Sequence, residues 1–212
     1  MSFCIKRIVI KNRAPFVEGL DLSFERNGIT VLTAVNGKGK TTLLSYIMDA
    51  WVEMTRNAYQ SSFVGKENKF YRISSSLFDI DSSQPSMVYI RFNYDQKIID
   101  YIHIRNKCSE DQYKDLTNSI DAIIQYASIK ASLESNGYAK HFSSKDIKEI
   151  RSIFDNNIIT YFPSHRHSDP SFLTDNYKED IEYSSLMTFS DFLPNPIDSK
   201  MDIHKIVNWI MD

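Results

Sequence analysis

Apolar residues change their spacing several times along the chain, and each change predicts an element. Residues 4–11 and 20–25 read as strands, the second placing Leu20, Leu22 and Phe24 on one face. Asn27-Gly28 then turns the chain into a β-branched run, Ile29 to Val35, predicted as a third strand. From about Gly39 to Arg56 the period becomes helical, with Leu43, Leu44, Ile47, Met48, Trp51 and Val52 repeating. Ser61 to Gly65 breaks that pattern. Runs at roughly 69–79, 86–94 and 97–105 predict three more strands, the last two joined in a hairpin at Asn93-Tyr94-Asp95-Gln96. Together they predict an antiparallel lobe.

Ser109-Glu110-Asp111-Gln112 has the form of a capping box. It predicts a long helix carrying Leu116, Ile120, Ile123, Ile124 and Ala127, ended by Asn136-Gly137. A second helix is predicted from Ser143 to Asp146 onward, with Ile147, Ile150, Ile153 and Phe154 on its apolar face. Residues 157–163 form a short apolar run that suits a buried parallel strand beside 29–35. Residues 164–200, with Pro170, Pro194 and Pro196, read as irregular. Ile203, Ile206, Val207 and Ile210 return to helical spacing, and the chain stops at Asp212 as if cut within that helix.

The run from Ile29 to Val35 leads straight into Asn36-Gly37-Lys38-Gly39-Lys40-Thr41-Thr42. Glycines let a backbone approach phosphate oxygens closely, successive N–H groups point at them, and the helix that follows offers its positive end. In the pattern G-x-x-x-x-G-K-[ST], Gly39, Lys40 and Thr41 are in place, with Ala34 at the first glycine position. Alanine is acceptable there if φ stays negative. Lys40 would reach the β- and γ-phosphates of ATP, the Thr41 hydroxyl would ligate Mg²⁺, and Thr42 would support the α-phosphate. An ordinary glycine-rich turn between a strand and a helix is the plainer reading, and the agreement of strand, loop and helix weighs against it.

Composition narrows the picture. Apolar residues make up 42% of 212 and aromatics 13%, enough for a core, and a net charge of −2 excludes a global polycation that would hold nucleic acid by charge alone. Cys4 and Cys108 lie far apart in strand-like sequence and read as buried free thiols of a reducing compartment. No apolar run approaches the roughly 18 residues a membrane span needs, and the first residues lack a signal peptide's layout. The expectation is a cytoplasmic protein with no membrane partner.

The first 52 residues resemble the N-terminal portion of RecF-like and SMC-like ATPases, soluble relatives of ABC ATPases. The matching residues are Ile8 to Arg13, Leu20 to Phe24, Gly28 to Leu32, and Asn36 to Thr42. Tyr161-Phe162-Pro163-Ser164-His165-Arg166 is similar to a strand-then-arginine segment in AAA-labelled ATPases of the same branch, among them bacterial restriction and phage-defence proteins. The resemblance implies an α/β P-loop head with an antiparallel lobe and a helical insertion. It also implies a homodimer or partner subunit closing over ATP and Mg²⁺, with DNA as a further partner. Such ATPases also carry a Walker B strand ending in Asp-Glu and a Leu-Ser-Gly-Gly-Gln signature, toward the C-terminus. Neither is found here: Ile98-Ile99-Asp100 has too short an apolar run, and Ile158 to Phe162 ends in Pro163. The expected division is therefore the N-terminal part of one head, with a phosphate-loop core at 1–58, the lobe at 59–108, the insertion at 109–156, and the second core strand, irregular segment and cut helix at 157–212.

Other residues carry less. The resemblance puts Arg13 and Phe16 where the base would lie, so that either could stack on adenine, and a solvated turn is an equal explanation. Gln84 and Gln96 follow no second core strand as a Mg²⁺-sensing glutamine should. His165-Arg166-His167 lacks the Cys or carboxylate spacing of a zinc site. Arg166 could sense a γ-phosphate or pair with Asp169 or Asp175. No Ser, Cys or His constellation for nucleophilic catalysis stands out, and the catalytic acid is unassigned.

Overall fold

A computed structural model describes residues 3–25, 28–58, 79–144, 146–157, 159–161 and 197–199. Five strands form one antiparallel sheet in the order β2-β1-β3-β4-β5: β1 (Phe3–Lys11), β2 (Leu20–Ser23), β3 (Ser86–Tyr94), β4 (Lys97–Arg105) and β5 (Tyr138–Phe142). The β1 and β2 strands expected in the phosphate-loop core are thus continuous with the strands expected in a separate lobe. The hairpin of β3 and β4 closes as its sequence predicts, through Asp95 and Gln96 at φ of 46° and 72°, the doubly left-handed turn that matches strand twist.

Both faces of this sheet are covered. Val9, Met87, Tyr89, Ile102, Ile104 and Ala139 share one face and join a core with Tyr113 of α2 (Glu110–Thr117) and Leu133 of α3 (Lys130–Asn136). Register puts Ile8, Ile10, Val88, Ile90, Phe92 and Tyr101 on the other face. There α1 (Lys40–Ala58) lies close: Phe3 stacks on Phe92 with ring centroids 5.1 Å apart and meets the edge of Trp51 at 5.3 Å, and Lys140 donates to Glu53 at 2.5 Å. Two covered faces explain why β3 is apolar almost throughout despite being antiparallel.

The helical insertion differs from expectation. The capping box at Ser109 forms, with the Ser109 hydroxyl accepting from Gln112 N and the Gln112 side chain accepting from Ser109 N. The helix nevertheless ends at Thr117, and Ile120 and Ile124 enter the core from an irregular stretch before a short 3-10 turn at Tyr126–Ser128. Burial of those two side chains satisfies the apolar spacing without a continuous helix. Gly137, at φ 69°, caps α3 as predicted and leads into β5, a strand the sequence did not reveal. The predicted helix after Ser143 is α4 (Ile147–Asn156), with Ile150, Ile153 and Phe154 buried.

Chain contacts divide the molecule into two units, residues 1–54 with 73–146, and residues 55–72 with 147–212. The first holds the sheet, most of α1, α2 and α3. In the second, Arg151 donates to Ala58 O at 3.0 Å, and β6 (Ile159–Tyr161) pairs in parallel with β7 (Ile197–Ser199). The parallel strand expected at 157–163 is therefore present, but its partner is β7, inside the stretch read as irregular, rather than 29–35. The predicted strand at 69–79 and the C-terminal helix lie outside the described residues, apart from Asp79. No described helix is long and apolar enough to cross a membrane.

Candidate nucleotide site

The loop before α1 has the backbone its glycines allow. Gly37 and Gly39 hold φ of 81° and 89°, which an L-residue rarely adopts, while Ala34 is absent from the described non-glycine residues with positive φ, so its Cβ meets no penalty. The Lys40 ammonium folds back over the loop and donates to Ala34 O at 2.5 Å and Val35 O at 3.1 Å. Asn36, Lys38 and Thr41 are exposed, Thr42 is half-buried, and Gly39 is buried. Among the described residues, the first backbone hydrogen bond into α1 runs from Leu43 N to Gly39 O, which leaves the N–H groups of Lys40, Thr41 and Thr42 without an intrahelical partner. These N–H groups sit at the positive end of a helix of 19 residues.

Such a loop fits a bound polyphosphate. A Cβ on Gly37 would meet nothing within 4 Å, so that side of the cradle is open, whereas a Cβ on Gly39 would come within 2.7 Å of Pro15 and Phe16 side-chain atoms. The cradle is backed by the β1–β2 turn at Gly39 and, among the described residues, open at Gly37. Lys40 is placed to exchange its two carbonyl partners for phosphate oxygens.

The segment leading into the loop is a correction. Residues 28–35 form no strand, and Ile29, Val31 and Val35 are 95%, 75% and 70% exposed. A strand exists only where a neighbour completes its ladder, and no described residue pairs with this one.

Arg13 is also placed differently from its expected role beside adenine. Its side chain is 2% exposed, its Nε lies 3.4 Å from Asp79 Oδ1, and burial holds its pKa below the usual arginine value. No face of it is open to a base. Phe16 is half-buried with its ring against Gly39. Asp79, which sequence reasoning missed, accepts from the Ser86 hydroxyl at 2.9 Å and Asn106 Nδ2 at 3.2 Å, with Arg105 Nη1 at 3.8 Å. Asn12, at φ 53°, fastens the same loop by donating to Asp81 O at 2.7 Å and accepting from Asp81 N at 2.8 Å. A lone aspartate remote in sequence from the phosphate loop offers no motif by which to find it.

Asp100, considered and set aside as a Walker B acid, is fully buried on β4 opposite Arg91. Gln84 belongs to the loop that Asn12 fastens, and Gln96 to the β3–β4 turn. Cys108 is buried and Cys4 only half-buried, both as free thiols. His165, Arg166 and His167 lie outside the described residues. Among the described residues no group of three His, Cys, Asp or Glu is placed to hold a metal ion.

A protein-family model described as an AAA domain matches residues 7–202. The chain belongs to that AAA domain family. The match joins the phosphate loop, the sheet and the residues after α4 in one AAA-type P-loop ATPase domain, a class that generally uses ATP and Mg²⁺. No curated protein matches this AAA domain.

Proposed function

We propose that this AAA domain binds Mg-ATP through Asn36, Gly37, Lys38, Gly39, Lys40, Thr41 and Thr42. In the whole protein, hydrolysis would drive dimerisation or a conformational switch in DNA repair or anti-phage defence. The observation that carries the nucleotide reading is the loop's geometry: two left-handed glycines, N–H groups at the start of α1 without an intrahelical partner, and the Lys40 ammonium held over them. Mg-ATP would supply the phosphoanhydride bond and a divalent cation that offsets the charge of its phosphate oxygens. On this reading Lys40 neutralises those oxygens, Thr41 offers its hydroxyl to the metal, and the amides of Gly37 to Thr42 orient the chain of phosphates. Arg13, buried behind the loop, acts on the nucleotide only through its neighbours. The pathway, and a homodimer or partner subunit closing over the site, rest on the resemblance to RecF-like and SMC-like heads.

A second reading is a nucleotide-binding module that does not hydrolyse. It is favoured by Asp100, the carboxylate nearest in sequence pattern to a Walker B acid, which is bound to Arg91 at 2.8 and 2.9 Å and to Ile123 N at 3.0 Å. Titration of Mg-ATP into the wild type and Lys40→Ala tests the shared part. The substitution should weaken affinity by about tenfold or more, since a charge-assisted contact to phosphate is lost, and equal affinity overturns the reading. Phosphate release above the Lys40→Ala background then selects hydrolysis, and binding without release selects the module.

A further inference from the structure

Behind the phosphate loop, three pieces of chain distant in sequence meet in a way that phosphate binding alone does not explain. The β1–β2 turn is folded on itself, with Phe16 N donating to Arg13 O at 2.8 Å and Gly19 N to Phe16 O at 2.9 Å. Its Pro15 and Phe16 side chains fill the space where Gly39 would carry a Cβ. The root of that turn is Arg13, and its guanidinium is a buried charge with Nε and Nη2 lacking any hydrogen-bond partner. What compensates it is the carboxylate of Asp79, only 6% exposed, held in turn by Ser86, Asn106 and Arg105 from the ends of β3 and β4.

A buried ion pair with so few hydrogen bonds is weak evidence for stability, and breaking one partner leaves an uncompensated charge. Such pairs are best attested as devices that fix one arrangement among several. Here the arrangement fixed is the approach of the turn to the glycine immediately before Lys40. We propose that Asp79 is a positioning residue for the phosphate loop: by holding Arg13 it seats Phe16 against Gly39 and so sets where Lys40 and Thr41 enter α1. Backbone bridges from Arg13 to Phe16 and to Asp79 keep the turn folded without that carboxylate, but the Arg13 side chain then has no counter-charge, and the fit of Phe16 against Gly39 loosens. The inference rests on the reading of residues 36–42 as the Mg-ATP site.

Mg-ATP titrations and thermal melts of Asp79→Asn, Phe16→Ala, Phe16→Leu, the Asp79→Asn/Phe16→Ala double variant and Lys40→Ala test it. Asp79→Asn and Phe16→Ala should each weaken binding roughly tenfold, as small misplacements of a binding group do. Phe16→Leu keeps an apolar wedge and should recover most of that loss. The double variant should bind no more weakly than the weaker single, because both act through one contact. If Asp79→Asn lowers the melting temperature but leaves affinity within about twofold of wild type, or if the two effects add, the positioning role is overturned while a Lys40→Ala defect keeps the nucleotide site. Should Asp79→Asn fail to fold, Phe16→Ala against Phe16→Leu decides: equal affinities overturn the proposal. Wild-type affinity in Lys40→Ala overturns the nucleotide reading, and this inference with it.

Discussion

Arg91 and Asp100 face each other across β3 and β4, and Arg91 donates to both carboxylate oxygens of Asp100, at 2.8 and 2.9 Å. Arg91 also reaches Asp121 O, and Asp100 accepts from Ile123 N, so the pair anchors the irregular stretch that follows α2. From the β5 end, Ser143 bonds Asp100 N and O through its hydroxyl and amide. One aspartate with no exposed surface thus joins sheet, connector and edge strand.

Asp100→Ala should therefore cost stability rather than nucleotide affinity. Removing one partner of a buried, hydrogen-bonded pair typically costs about 3–5 kcal/mol. Urea unfolding followed by circular dichroism measures it, and a loss under about 1 kcal/mol would show that water or another group replaces the carboxylate.

Gly39→Ala and Gly37→Ala separate backbone strain from steric closure. Both impose positive φ on alanine, at a cost of about 1–2 kcal/mol. Only at Gly39 does the new Cβ also strike Pro15 and Phe16 at 2.7 Å. Gly39→Ala should abolish measurable Mg-ATP binding, while Gly37→Ala should weaken it by a smaller factor. Equal defects at the two positions would mean that the contact with the β1–β2 turn does not matter.

Gly137→Ala tests a cap remote from the loop. Gly137 N donates to Leu133 O at 3.0 Å with φ at 69°, ending α3 before β5. Alanine there should cost about 1 kcal/mol in urea unfolding with Mg-ATP affinity unchanged.

Cys108 should resist alkylation in the folded protein. Burial pushes its thiol up to about 11 from 9.0, because the thiolate loses hydration it cannot replace. With native iodoacetamide at pH 8, mass spectrometry should find half-buried Cys4 labelled first. The sign of the linkage follows: an acid whose folded pKa is raised contributes stability below its unfolded pKa of 9.0 and loses it as pH climbs toward 11. Cys108→Ala should flatten that part of the alkaline limb, and an unchanged slope assigns it to other groups.

Local chemistry was legible where it is self-contained. The hairpin at Asp95-Gln96, the Ser109 capping box, the Gly137 stop and the phosphate-loop glycines each depend on a few adjacent residues, and each stands where the sequence puts it. The apolar spacing of Ile120 and Ile124 misled, because an irregular chain can deliver the same two side chains to the core as a helix can. Strand pairing was read less well. Ile29 to Val35 has strand composition but no described partner, and β5 has a partner but an unremarkable composition.

What the sequence determined by itself is the left-handed glycine loop and the helix it opens, since steric limits on φ and helical periodicity act over one or two turns of chain. Tertiary structure decided that β1 and β2 share a sheet with β3 to β5, that β6 pairs with β7, and that Arg13 is spent on Asp79 rather than on a base. Those outcomes depend on hydrogen-bond ladders and on charges losing water together. Both are properties of groups brought close by folding, and neither leaves a local mark on the residues that take part.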